Sequence, residues 1–176
     1  YVVFSRRTSV ASTNNCLAGV FRSKDGGIKW DRISPQGTTG FDMFGNPGQT
    51  CQGWYDMTIA VYPNDPGKIV VGGITTYRWE QSSIDPAKPN GSWNQIDVLL
   101  EQQPNGAKVP NYVHADKHNI AFDPNNDNIY YSLNDGGIYK SINFTSTFPT
   151  FQAYNFNYRA TQYYDIGVNP NDIVMG

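Results

Sequence analysis

Three copies of one motif decide the fold: "MTIAVYPNDPGKIVVGG" (57–73), "HNIAFDPNNDNIYYSLN" (118–134) and "YDIGVNPNDIVMG" (164–176). Each copy has an isoleucine, a small residue, an apolar residue, any residue, Pro, Asn, and then Asp or Asn. The alternating apolar residues predict a strand, and the Pro-Asn pair predicts a tight turn, because proline fixes φ and asparagine bonds its own backbone. The β-branched residues that follow predict a second strand, so the chain is expected to consist of repeated β-hairpins.

Two further β-rich runs extend the repeat. The third runs are "GVFRS" (19–23), "TTYRW" (75–79) and "GIYKS" (137–141), and the fourth runs are "IKWDRI" (28–33), "SWNQID" (92–97) and "FQAYNF" (151–156). The spacing of the hairpins is close to the roughly 40 to 50 residues of a propeller blade, once an insertion at 80–91 is allowed. Four meandering strands per repeat predict an all-β fold, namely a β-propeller of four-stranded antiparallel blades.

The repeat register divides the chain into blades. Residues 1–34 are predicted to form part of one blade, 53–97 and 114–157 two whole blades, and 160–176 the start of the next. Propellers close with about four to eight blades, so residues 1–176 are expected to be a single fragment of about three to four blades, packed against the rest of its own propeller. The alternative is a three-bladed ring in which 1–34 and 160–176 complete one blade.

Composition agrees with a turn-rich β protein and excludes some partners. The chain has 17 glycines, 11 prolines and 12 tyrosines among 176 residues, a usage that favours strands and turns over helices. The net charge is −2 and no lysine or arginine cluster occurs, which argues against binding to nucleic acid. No apolar run approaches the roughly 20 residues of a membrane span. Cys16 and Cys51 could form one disulfide in an exported protein, or remain two free thiols.

The stretch "SKDGGIKW" (23–30) separates a third run from a fourth run and is predicted to be a hairpin connection. Asp25 can accept hydrogen bonds from its own turn, and the two glycines that follow can adopt positive φ. Trp30 can pack its ring over the hairpin. These residues are therefore expected to shape a turn and to carry no chemistry.

This stretch also carries a family resemblance. Ser23, Asp25, Gly27 and Trp30 match the Asp-box, or bacterial neuraminidase repeat, written Ser-x-Asp-x-Gly-x-Thr-Trp, with Lys29 in place of the threonine. Two weaker copies retain only the tail, in "NGSW" (90–93), or only the head, in "SINF" (141–144).

The chain as a whole resembles blades of the sortilin-like and xyloglucanase-like propeller superfamily. It is particularly similar to large secreted propeller proteins of Bacteroidota, which carry a C-terminal sorting domain for type IX secretion. The resemblance implies an extracellular or cell-surface protein, exported by a signal outside these residues, with the secretion machinery as a possible partner. It implies no particular activity, because Asp-boxes occur in enzymes and non-enzymes alike.

A candidate metal site is "HADKH" (114–118). In an extended strand His114, Asp116 and His118 would point to one face, and two imidazoles with a carboxylate could bind zinc or another transition metal. The alternative is that they satisfy hydrogen bonds where an inner strand enters the ring, with His118 sharing a face with Ile120. No other cofactor is expected.

Carboxylates are needed for glycoside hydrolysis, in which two of them face each other across a cleft, roughly 5 to 10 Å apart. Asp56, Asp116 and Asp165 are candidates, and Asp56 and Asp165 precede inner strands, whose ends line a propeller channel. Asp135, in "NDGG", is expected to be a turn residue instead. The residues select no catalytic pair.

Aromatic residues cluster just before the inner strands, where exposed rings could stack on sugars; they are Trp54, Tyr55, Tyr112, Tyr163 and Tyr164. Packing between blades is the alternative explanation. A sialidase is disfavoured, because the arginine triad of such enzymes is not evident and Arg22 and Arg78 occupy matching third-strand positions.

Two functional hypotheses follow. The first is a secreted or cell-surface β-propeller module, a fragment of a larger type IX secretion cargo protein, that presents a glycan- or protein-binding surface. The second is a polysaccharide-degrading glycoside hydrolase that resembles xyloglucanases.

Overall fold

The computed structural model of this protein describes residues 1–6, 14–35, 37, 41–45, 51–81, 91–156, 166–169 and 172–175. These residues form strands and turns and contain no helix, which confirms the all-β prediction for this part of the chain. None of them belongs to a long apolar helix of the kind that crosses a membrane. The strands are β1 (Val2–Ser5), β2 (Asn14–Asn15), β3 (Leu17–Arg22), β4 (Asp31–Arg32), β5 (Cys51–Gln52), β6 (Thr58–Tyr62), β7 (Asp65–Gly72), β8 (Thr76–Glu80), β9 (Ser92–Gln95), β10 (Lys117–Asp123), β11 (Asn126–Asn134), β12 (Gly137–Ser141), β13 (Gln152–Ala153), β14 (Ile166–Asn169) and β15 (Asp172–Met175).

Two sheets have the predicted four-stranded meander. In the second sheet the strand order is β6-β7-β8-β9, in the third sheet it is β10-β11-β12-β13, and all neighbouring strands are antiparallel. The first sheet has the order β1-β3-β4, and β14 and β15 form a separate hairpin. Within the two four-stranded sheets consecutive strands pair, as expected when short local turns connect them.

The Pro-Asn pairs form two-residue connections in the first two copies of the motif. Tyr62 pairs with Asp65 across one turn, and Asp123 pairs with Asn126 across the other. In the second turn the Asn125 amide donates to Asp123 Oδ1 over 2.8 Å, so the aspartate stabilises the turn. In the third copy Asn169 pairs with Asp172, and the residues between them lie outside the described part of the chain.

The apolar core lies between neighbouring sheets. Side chains of β7 alternate between two clusters: Ile69 and Val71 join the cluster toward the first sheet, whereas Val70 joins the cluster toward the third. Alternate residues of a strand point to opposite faces, so a sheet that is covered on both sides needs apolar residues at consecutive positions. This packing explains why β7 carries an uninterrupted apolar run instead of a strict alternation.

The first strands of the second and third sheets lie side by side. β10 contacts both β6 and β7, and the Lys117 amide donates to the Gly73 carbonyl over 2.9 Å. A Cβ at Gly72 would lie 2.9 Å from Thr58 Cγ2 and 3.0 Å from Lys117 Cβ, so this approach requires glycine. The segments that precede β6 and β10 therefore meet at one edge of the two sheets, which we call the entry edge (residues 54–57, 114–117 and 135).

A buried disulfide joins Cys16 to Cys51, which are 35 positions apart. Beside it β2 and β5 pair in parallel, a pairing that the repeat pattern did not predict. Together they tie the segment before β3 to the segment that leads into β6. Closing a loop of this length stabilises the folded state by about 3 to 4 kcal/mol in the chain-entropy model.

Candidate functional site

The loop at 23–30 is a closed hydrogen-bonded turn between β3 and β4. Ser23 Oγ donates to Asp25 Oδ1 over 2.9 Å and accepts from the Gly27 amide over 2.8 Å, while the Lys29 amide donates to Asp25 Oδ1 over 2.9 Å. The hydrogen bonds that Asp25 accepts, first from the Lys29 amide and then from Ser23 Oγ, lower the pKa of Asp25. Trp30 Nε1 donates to the Gly27 carbonyl over 3.0 Å, and Gly27 has a φ of 94°. The polar groups of the loop are used to hold its own shape.

A second loop of this kind, between β12 and β13, went largely unrecognised in the sequence. Ser141 Oγ donates to Asn143 Oδ1 over 3.1 Å, and the Thr150 amide donates to the same oxygen over 2.9 Å. Asn143 thus takes the place of Asp25, and Phe151 directly before β13 takes the place of Trp30 before β4. Asn143 and Thr150 are three residues farther apart in the chain than Asp25 and Lys29. A search for the residue spacing of the first loop therefore does not find the second.

Third-strand arginines connect each sheet to the next. Arg78 Nη1 donates to the carbonyls of Phe144 and Ser146, over 2.8 and 3.0 Å, in the loop that follows β12. Arg22 Nη1 donates to the side-chain oxygen of Gln81, directly after β8. Both guanidinium groups are engaged between sheets, which agrees with their interpretation as repeat features.

Two aspartates meet at the entry edge, opposite the loops that follow β3 and β12. Asp56 lies just before β6 and Asp116 just before β10, and Gln52 connects them. The Gln52 carbonyl accepts from the Asp56 amide over 3.1 Å, and Gln52 Nε2 donates to Asp116 Oδ1 over 3.2 Å. Adjacent sheets therefore bring together two of the three carboxylates that the sequence analysis singled out.

Asp56 is in an unusual environment. Its exposed fraction is 0%, and neither carboxylate oxygen has a hydrogen-bond partner within the described residues. Burial, followed by the negative charge of Asp116, raises the pKa of Asp56 to about 8. Burial disfavours the ionised form of a carboxyl group, and a nearby like charge disfavours it further. At neutral pH Asp56 thus holds a proton unless a positive charge is supplied to it.

The cation closest to these carboxylates along the chain is already paired. Lys117 is fully buried, and its Nζ lies 2.8 Å from Asp97 Oδ2 and donates to the Ile74 carbonyl over 2.7 Å. The charge of Lys117 lowers the pKa of Asp56 only as a minor influence beside burial and Asp116. Lys117 therefore does not neutralise the pair.

Above the two aspartates lies an exposed group that we call the aromatic patch (Trp54, Tyr55, His118 and Asp135). Trp54 is 69% exposed and its ring centroid is 5.5 Å from that of Tyr55, which in turn is 4.8 Å from the His118 ring. Tyr55 Oη donates to Asp135 Oδ2 over 3.1 Å, and His118 Nε2 lies 2.7 Å from Asp135 Oδ1. The patch therefore combines one largely exposed ring, that of Trp54, with three polar side chains that are hydrogen-bonded to one another.

The hydrogen bond to Asp135 raises the pKa of Tyr55, because it favours the protonated phenol. Tyr55 is consequently a hydrogen-bond donor. The sequence predicts only a turn role for Asp135, which does occupy the two-residue turn between β11 and β12. The strand order could have predicted the position of Asp135. In a four-stranded meander the turn between the second and third strands lies at the same edge of the sheet as the start of the first strand.

The segment 114–118 differs from its expected geometry. β10 begins only at Lys117, Asp116 has a φ of 62°, and the register shifts between Lys117 and Asn119. Because of this bulge His118 is exposed while Ile120 is buried, so the expectation that they share a face is wrong.

The structure also does not assemble His114, Asp116 and His118 as one ligand set. His114 Nδ1 lies 3.2 Å from the Ala115 carbonyl oxygen, whereas His118 contacts Asp135. Within the described residues, the only trio of suitable side chains whose ligand atoms lie within 4.8 Å of one another is Cys16, Asp42 and Cys51, and its two sulfurs form the disulfide.

Of the remaining predicted residues, Tyr112 packs against Tyr139 with ring centroids 5.8 Å apart. Tyr163, Tyr164 and Asp165 lie outside the described residues. Comparisons of the chain with protein-family models, with curated proteins and with solved structures found no match.

Proposed function

We propose that the chain is part of an Asp-box β-propeller in which the three sheets are blades and β14 and β15 begin another. Several observations support this: the meander order, the apolar cores between neighbouring sheets, and the first strands lying side by side. The two Asp-box loops occupy equivalent positions after third strands, as the family resemblance implies. In a propeller the entry edge would lie at one end of the central channel, a common location of binding sites.

We further propose that the aromatic patch binds a glycan. The observation that carries this proposal is the exposure of Trp54, an indole that is 69% accessible and flanked by fixed polar groups. An aromatic face offers apolar contact to the CH groups of a sugar ring, while Tyr55, His118 and Asp135 can bond its hydroxyls. A few well-placed polar groups around an apolar surface are typical of small-ligand sites.

The test is binding of the purified protein to a panel of plant and bacterial polysaccharides, with Trp54→Ala as the diagnostic variant. Loss of the stacking contact is expected to weaken binding by about tenfold or more. Phe148→Ala is the matched control, because Phe148 is an 80% exposed ring in the loop after β12, far from the patch in the topology. Equal affinities for wild type and Trp54→Ala would contradict the proposal, and binding of proteins alone would indicate a protein ligand.

A glycoside hydrolase is the second candidate, favoured by the pairing of Asp56 with Asp116. A carboxyl group whose pKa is raised to about 8 can act as a general acid, with the second carboxyl group of the pair beside it. The complete burial of Asp56 places binding ahead of hydrolysis, since a general acid must reach the leaving oxygen. Release of reducing ends that Asp56→Asn and Asp116→Asn both abolish would establish the enzyme, and no release by the folded wild type would remove it.

We also propose that the protein is secreted or displayed at the cell surface, as cargo of a secretion system. The Cys16–Cys51 disulfide supports this, because such bonds persist in oxidising compartments. The protein is isolated from its natural source, denatured and treated with an alkylating reagent without prior reduction. Neither cysteine should be labelled. Quantitative labelling of both would contradict the proposal.

A further inference from the structure

We propose that Asp56 and Asp116 form a binding site for a divalent cation of the Ca²⁺ type, seated between the second and third sheets beneath the aromatic patch. The inference goes beyond glycan binding and does not depend on it.

The first reason is the state of Asp56. Its side chain has no exposed surface, and both carboxylate oxygens lack a hydrogen-bond partner within the described residues. Buried polar groups are nearly always paired, and leaving a charged one unpaired is especially unfavourable. One shared proton would satisfy one oxygen, whereas a cation can accept both oxygens as ligands. Among the described residues, therefore, no electropositive group is bonded to the Asp56 carboxylate.

The second reason is that the neighbouring cationic groups have other partners. Lys117 Nζ is bound to Asp97 and the Ile74 carbonyl, and His118 Nε2 faces Asp135. The amide of Gln52 reaches Asp116, but only at Oδ1. Among the described residues, none supplies a positive charge to the Asp56 carboxylate by an ion pair.

The third reason is that the local backbone holds the two carboxylates in place. Gln52 accepts from the Asp56 amide and donates to Asp116, so one residue connects both. Asp116 itself adopts a φ of 62°, a conformation that non-glycine residues rarely adopt and that the surrounding structure must enforce. The contacts with Gln52 therefore bring the two aspartates together, although like charges on them would repel each other.

The donor atoms indicate the class of ion. Two carboxylates, with backbone carbonyls and water completing the shell, are oxygen ligands, which Ca²⁺ and Mg²⁺ prefer. The imidazoles of His114 and His118 have contacts elsewhere, so the nitrogen ligands of a zinc site are missing. Ca²⁺ tolerates irregular coordination better than Mg²⁺ and suits a site built from two separate segments.

Ion binding would stabilise the junction between the two sheets. Asp56 directly follows Tyr55, and Asp116 lies two residues before His118, so a bound ion would also hold two members of the aromatic patch.

The test is thermal unfolding of the chelator-treated protein with added CaCl₂. At about 100 times the dissociation constant, Ca²⁺ is expected to raise Tm by about 5 to 10 °C. Asp56→Asn and Asp116→Asn should each abolish this shift. Both variants should fold, because an amide has the shape of the carboxyl group without its charge and asparagine tolerates positive φ. Asp31→Asn removes an exposed carboxylate on β4 and should retain the full shift.

Calorimetric titration should give one Ca²⁺ per chain, with binding retained in Trp54→Ala. That variant separates the two proposals, because it removes the glycan contact and leaves both carboxylates. The absence of a Tm shift and of binding heat with both CaCl₂ and MgCl₂ would overturn the cation site. A shift that persists in both asparagine variants would overturn it as well.

Discussion

Two aspartates at opposite edges of the sheets show how environment separates a structural carboxylate from a functional candidate. Asp25, in the loop between β3 and β4, is exposed and accepts hydrogen bonds from Ser23 and the Lys29 amide, so its pKa is lowered. Asp56, at the entry edge, is buried, and its carboxylate oxygens have no hydrogen-bond partner among the described residues; burial and the charge of Asp116 raise its pKa to about 8. The exposed carboxylate of Asp25 stabilises a turn, whereas the buried carboxylate of Asp56 has no hydrogen-bond donor or cation bonded to it among the described residues.

The largest expected effect is on the pH dependence of stability. Asp56 has a pKa of about 8 in the folded chain and about 4 in the unfolded chain, so between these values only the folded state retains the proton. Without bound cations, the free energy of unfolding should fall as pH rises, by roughly 1.4 kcal/mol per pH unit over this window. Asp56→Asn should remove this component of the slope.

Urea unfolding at a series of pH values in chelator measures the slope, with Asp31→Asn as a control that should follow the wild type. If Asp56→Asn and wild type gave parallel profiles, Asp56 would not be a buried, uncompensated acid, and its contrast with Asp25 would disappear.

A smaller effect is expected in the loop between β12 and β13. Asn143→Ala removes the acceptor used by Ser141 Oγ and by the Thr150 amide. The free energy of unfolding should fall by about 1 to 2 kcal/mol, as a shift of the urea midpoint. Asn143→Asp keeps the acceptor, so its free energy of unfolding should fall much less. Equal losses in both variants would show that the loop depends on something other than this oxygen.

The smallest effect is expected for Asp25→Asn. The amide retains an oxygen at Oδ1 for Ser23 and Lys29, and Asn143 already performs this role in the other loop. Tm should stay close to that of the wild type, whereas Asp25→Ala should lower it. A marked loss in Asp25→Asn would mean that the negative charge, rather than the acceptor, holds the loop.

Local patterns in the sequence were sufficient for the elements of the fold. The Pro-Asn hairpins, the four consecutive strands and the glycine-containing loop at 23–30 depend on contacts between residues close in the chain, so their residue types predict them. The similar loop between β12 and β13 could not be predicted in this way, because three more residues separate Asn143 from Thr150 than separate Asp25 from Lys29. The alternation of His114, Asp116 and His118 was misleading, because a positive φ and a bulge interrupt the strand that it assumes.

The sequence by itself determined that this is a β protein with repeated four-stranded units, because strand and turn preferences act over a few residues. Only the tertiary structure decided that Cys16 pairs with Cys51, that Asp135 meets Tyr55 and His118, and that Asp56 is buried beside Asp116. These relations join residues that are 17 or more positions apart in the chain. Burial and charge depend on everything that packs around a group, and the spacing of residues along a chain does not carry that information.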